Sequence, residues 1–270
     1  MYRLCLKVNT SYRGNAVGVL SKRFHAFVLQ SIQRESPSLS QRLHDSKERQ
    51  TFSTRLMPVS GEVWVNTPDR EIVACLQRHW LDLPDIDLID WKGTIQELHC
   101  QTFSEVLIAE KFSPGFTLHF LSPTTFYQRG NYYPLPELKR LFSSASKAYK
   151  LCTGKKVNWD ELEPLIRKIR IEQLTLATER VSFGNFNLVG FKGKMAMSTK
   201  ALPTEEQHLV WQLVAYGALM GFGYKTAWGL GQTLLDPLEK YTGNFPNTRS
   251  FEKTPGVVRK RQNPYGTRKN

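Results

Sequence analysis

The chain has 270 residues, enough for one large domain or two small ones with separate cores. Its 37 Lys and Arg against 24 Asp and Glu give a formal net charge of +13, a surplus that draws phosphate-bearing partners. No segment approaches the roughly 18 to 20 apolar residues that span a bilayer, and Met1 to Asn9 lacks the apolar stretch of a secretory leader, so no membrane partner and a cytoplasmic location are expected.

Tyr2 to Asn9 alternates apolar and polar residues, which predicts a half-buried strand. From Val17 to about Arg34 the period becomes helical, with Leu20, Phe24, Phe27 and Val28 on one face, Lys22 and Arg23 away from it, and Pro37 as the stop. A polar stretch from Ser38 to Gln50 reads as a loop. Thr51 to Pro58 and Glu62 to Asn66 form a hairpin turning near Ser60-Gly61, Asp69 caps a helix through about Trp80, and Gly93 to Cys100 closes a βαββαβ order.

A second round follows: a strand over Phe116 to Leu121, a Pro-, Gly- and Tyr-rich loop, and a helix marked by Leu138, Leu141, Phe142, Ala145 and Tyr149. A longer connection with Lys155-Lys156 leads to strands over Arg170 to Phe183 and Leu188 to Met197. Thr204, with Gln207 in capping-box position, opens a helix with one face on a core. The loop Gly221-Phe-Gly-Tyr-Lys-Thr-Ala-Trp-Gly-Leu-Gly231 comes next, then a strand from Gln232 to Leu235. Its four glycines allow positive φ and close approach of a partner to the basic, aromatic centre. The order helix, glycines, strand is the reverse of a nucleotide-binding loop, which needs strand, glycines, helix.

The fold expected is therefore α+β, two tandem ferredoxin-like (RRM-like) domains at 1–112 and 113–235 with the glycine-rich loop at 221–231, then a basic tail at 236–270. That tail holds eight Lys or Arg against three carboxylates. It reads either as a solvated extension or as an RNA-contacting arm. Cys5, Cys75, Cys100 and Cys152 are scattered, which fits reduced thiols and neither a disulfide frame nor a metal site.

The spacing Gly-x-Gly, five residues including Lys225, Gly-x-Gly resembles the C-terminal signature of the CRISPR-associated Cas six family. Phe120-Leu-Ser-Pro-Thr-Thr-Phe126, Gly130, Tyr133-Pro-Leu-Pro136 and Leu141-Phe142 are similar to the opening of that family's second ferredoxin-like domain. Leu43-His44-Asp45 with Phe52-Ser53 resembles the segment in which many members carry a catalytic histidine.

The resemblance implies cofactor-independent and metal-independent cleavage of CRISPR repeat RNA, by attack of a 2′-hydroxyl that leaves a 2′,3′-cyclic phosphate and a 5′-hydroxyl. Such a reaction needs a proton acceptor, a cation at the phosphate and an acid for the leaving oxygen. His44 is the first candidate histidine and His25 the second, with Lys47 supplying charge. Arg49, Tyr127, Arg129, Lys192, Lys194, Gly221, Gly223, Lys225, Trp228, Gly229 and Gly231 are candidates for RNA binding. The family often adds a tyrosine from the first helix, and none is present here, so the acid stays unassigned. Alternatives kept open are a non-catalytic repeat-binding scaffold, with other subunits of a CRISPR effector complex as partners, and an unrelated basic RNA-binding module.

Overall fold

The computed structural model describes residues 1–45 and 49–239. Lys47 and the tail from residue 240 onward lie outside the described residues.

The first half runs β1 (Tyr2–Asn9), α1 (Val17–Glu35), α2 (Pro37–Asp45), β2 (Ser53–Met57), β3 (Glu62–Thr67), α3 (Arg70–Leu81), β4 (Asp85–Asp87) and β5 (Lys92–Thr102). Its antiparallel sheet has the order β2-β3-β1-β5-β4. Leu4 and Leu6 of β1 stand opposite Val65 and Val63 of β3, and all four are buried. Leu20, Phe24, Val28 and Ile32 of α1 cover that face together with Ile72, Leu76 and Trp80 of α3.

After α4 (Glu105–Glu110), the second half runs β6 (Gly115–Thr124), β7 (Phe126–Gln128), β8 (Asn131–Tyr133), α5 (Leu138–Thr153), α6 (Trp159–Lys168), β9 (Arg170–Ser182), β10 (Asn187–Ser198), α7 (Thr204–Met220) and β11 (Thr233–Asp236). Its main sheet is β11-β6-β10-β9. In both sheets the first strand of the round lies between the third and the last, which is the ferredoxin-like arrangement. Beyond β11 the chain returns to the first sheet, where Glu239 pairs with buried Arg3, which also donates to Asn66 Oδ1 at 2.7 Å.

Several elements depart from the sequence reading. Residues 37–45 are helical: Pro37 ends α1 and opens α2, since a first helical position needs no N–H. Only Leu39, Ser40 and Leu43 face inward, so the segment reads as polar. Helix α6 lies within the expected connection, capped by Asn158, whose side chain accepts from Asp160 N at 3.1 Å, with Pro164 inside it. The Tyr-rich loop holds the β7–β8 hairpin. Helix α7 begins on Pro203 with no side-chain cap, and Gln207 Nε2 instead donates to Leu202 O at 2.8 Å. Nor does α7 present one face: Val210, Trp211 and every residue from Leu213 to Met220 are buried, as in a helix enclosed on all sides.

Candidate RNA-binding and cleavage site

All four loop glycines take positive φ, at 74°, 86°, 84° and 67° for Gly221, Gly223, Gly229 and Gly231, as the sequence led one to expect. Their bare sides, however, face the protein itself. A Cβ on Gly231 would strike the Phe222 carbonyl, one on Gly223 the Thr125 carbonyl, and one on Gly229 would crowd the Ser21 side chain at 3.0 Å. Phe222 N donates to Gly231 O and Tyr224 N to Thr125 O, both at 2.8 Å, closing the loop on itself and on β6. The glycines thus shape the loop, and its centre, Lys225 to Trp228, is carried toward the first half.

There it meets α1. Gly18, Ser21, Lys22 and His25 recur at helical spacing as a second stripe beside the apolar one. Gly18 packs on the Ser182 carbonyl, Ser21 on Gly229, and His25 on Trp228 with ring centroids 5.9 Å apart. Thr54 Oγ1 of β2 donates to Ala227 O at 2.8 Å and fixes the same contact.

His25 also stacks on Phe52 at 5.5 Å, and its Nδ1 is buried without a partner among the described residues. Burial above all pushes its pKa down to about 4; the Ala227 main chain opposes this, while Lys225 and His44 add to it. The imidazole is therefore uncharged at neutral pH. His44 sits exposed in the last turn of α2, not in a loop, near enough for its charge to act on His25. Of the two candidate histidines, His25 is the one in contact with the loop.

Lys225 itself is in the left-handed conformation, φ 54°. Its ammonium lies 3.5 Å from the Trp228 ring centroid, 5.1 Å from Tyr224 and 5.5 Å from Phe186. Burial first, then Lys22, lowers its pKa. Lys22, which the apolar period of α1 leaves on the outside, has its ammonium 5.4 Å from the same Trp228 ring. Trp228 anchors both halves, packing against the first core and against a small cluster of Val181, Phe183, Leu188 and Leu230.

A groove of ≈ 690 Å³ opens beside this centre, between the loop, the β7–β8 hairpin and α5. One wall carries Tyr224 stacked on Tyr127 at 5.0 Å, and just outside the lining exposed Tyr132 packs against Tyr127 at 5.0 Å. The other carries Lys139, Arg140 and Lys147 of α5. A basic groove with exposed rings suits a sugar-phosphate chain with unstacked bases.

The Arg49 guanidinium donates to Met220 O and Gly221 O, at 2.6 Å each, and reaches Ser144 O at 3.3 Å. It caps the C-terminal carbonyls of α7 at the inner wall of the groove, where burial lowers its pKa to about 10. Arg129 stands exposed at the β7–β8 turn and does not line the groove. Lys192 pairs with Glu179 on β9 at 3.4 Å, and Lys194 lies opposite His119; neither β10 lysine lines the groove. Sequence reasoning missed Lys22, Tyr132, Tyr224 and Lys147. For Lys22 a signal existed in the Gly18, Ser21, Lys22, His25 spacing. Among the described residues no group of three or more His, Cys, Asp or Glu is placed to hold a metal ion, and no helix is long and apolar enough to cross a membrane.

Two ferredoxin-like halves joined by a lysine-bearing glycine loop over His25 define a tandem ferredoxin-like protein with a basic, aromatic cleft at its junction. Residues 118–233 match the family model of the CRISPR-associated endoribonuclease Cas6. A CRISPR-associated endoribonuclease Cas6 of Streptococcus thermophilus is 23% identical over 229 residues, 80% of this chain and 91% of its own length. One of Mycobacterium tuberculosis is 25% identical over 141 residues, 50% and 43% of the two chains. Among solved structures, a Cas6 product complex superposes with a TM-score of 0.72 at 20% identity, covering 87% of this chain and 99% of the other. Thermus thermophilus Cas6 gives 0.66 at 20%, covering 87% and 97%. The chain is thus similar to the CRISPR-associated Cas6 endoribonucleases in sequence over residues 118–233 and in fold over most of its length.

Proposed function

We propose that this protein is an endoribonuclease that binds and cuts CRISPR repeat RNA in precursor transcripts, with 1–112 and 113–235 as two ferredoxin-like domains and the cut made where they meet. The observation that carries this reading is the meeting of His25 of α1 and Lys225 of the glycine loop on the Trp228 ring, beside a basic groove with exposed tyrosines. RNA strands would follow Lys139, Arg140 and Lys147, with bases against Tyr127, Tyr132 and Tyr224.

In the proposed reaction the 2′-hydroxyl upstream of the cut attacks the adjacent phosphorus. One histidine takes its proton and the other hands a proton to the departing 5′ oxygen, giving a 2′,3′-cyclic phosphate and a 5′-hydroxyl. His25, uncharged at neutrality, is in the form that accepts a proton, which leaves the acid's part to His44. Lys225 offsets the charge that grows on the phosphorane.

A gel assay of His25→Ala and His44→Ala with end-labelled repeat RNA tests the roles. Each should slow cleavage by about 10²- to 10⁴-fold with RNA affinity largely kept. If wild type binds the matching repeat tightly and never cuts it, the protein is a repeat-binding scaffold, a reading that the absence of tyrosine from α1 favours.

A further inference from the structure

The two ammonium groups on the Trp228 ring carry an inference that rests on the reading above and adds a residue to it. Lys22 and Lys225 come from different halves, yet both point at one indole, at 5.4 and 3.5 Å. Among the described residues neither forms an ion pair with any carboxylate. His25 beside them is uncharged and His44 can only add positive charge. An aromatic face compensates an ammonium only weakly, and two like charges held together raise the free energy of the empty site. Among the described residues no carboxylate is paired with either ammonium, so a phosphate is the group that would balance them.

We propose that Lys22 and Lys225 form a two-lysine clamp for the scissile phosphodiester, seated over the Trp228 indole with one ammonium for each non-bridging oxygen. Lysine serves here as a point charge that follows its phosphate oxygen. The clamp gains strength as the phosphorane takes on a second negative charge, which makes Lys22 a catalytic residue. Its position suits that role. Lys22 precedes His25 by almost one turn of α1, so one rigid helix sets the spacing between the cation at phosphorus and the imidazole at the 2′-hydroxyl.

Two measurements on the full chain test this. In single-turnover cleavage of repeat RNA, Lys22→Ala should lose about 100-fold in rate, with RNA affinity weakened less than about threefold and Lys22→Arg restoring part of the rate. By NMR, inorganic phosphate should shift the Trp228 indole N–H resonance in wild type and not in Lys22→Ala. Cleavage by Lys22→Ala near the wild-type rate, or an equal phosphate shift in the variant, overturns the clamp. RNA that binds wild type without being cut overturns the nuclease reading instead, and the phosphate shift then still decides the clamp.

Discussion

His25 is held where protonation is unfavourable, between the Phe52 and Trp228 rings with two lysines nearby. Its folded pKa of about 4 lies below the unfolded value of 6.5. As pH falls through that window the unfolded chain takes up a proton that the folded one refuses, so stability is full above pH 6.5 and falls toward pH 4. Against a His25→Phe variant, which keeps a ring and loses the titration, wild type should lose about 3 kcal/mol in urea unfolding between pH 7 and pH 4. The sequence names His25 only as the second candidate histidine. Its chemistry depends on Trp228 and Lys225, some two hundred residues away, and no local period carries that distance. Arg49 shows what sequence leaves out: near His44 in the chain it reads as a phosphate ligand, and the fold also sets it on the carbonyls of α7 at the groove wall.

At the level of elements the glycine loop is the part most legible in sequence, because only positive φ explains four such glycines. What spacing could not tell is which way their bare sides face. Gly231→Ala combines a φ of 67° with a collision against the Phe222 carbonyl, whereas Gly130→Ala, at φ 83°, meets nothing within 4 Å. The first should lose more than about 3 kcal/mol of unfolding free energy, or fail to fold, and the second only about 1 kcal/mol of backbone strain. Similar losses at both sites would mean that the loop is not packed as described. Helices α2 and α6 escaped notice because each shows only three inward residues and a proline, at the start of α2 and inside α6.

Across the whole molecule, two repeats of one strand order could be read from alternation and caps alone, and the sheets follow that order. The site was only partly readable because it belongs to neither repeat. Helices α1 and α2 hold the proposed histidines and Lys22, the loop before β11 holds Lys225 and Trp228, and α5 with the β7–β8 hairpin borders the groove. Docking of Ala227 on Thr54 and of Gly229 on Ser21 brings these parts to one place. The most direct test of the assembled site is single-turnover cleavage of end-labelled repeat RNA in EDTA, with a ribose or a 2′-deoxyribose just upstream of the cut and the product ends identified. The expected result is cleavage of the ribose substrate in EDTA to a 2′,3′-cyclic phosphate and a 5′-hydroxyl, with none of the deoxy substrate. Cleavage of the deoxy substrate, or cleavage only when a divalent cation is restored, would contradict a histidine-and-lysine mechanism.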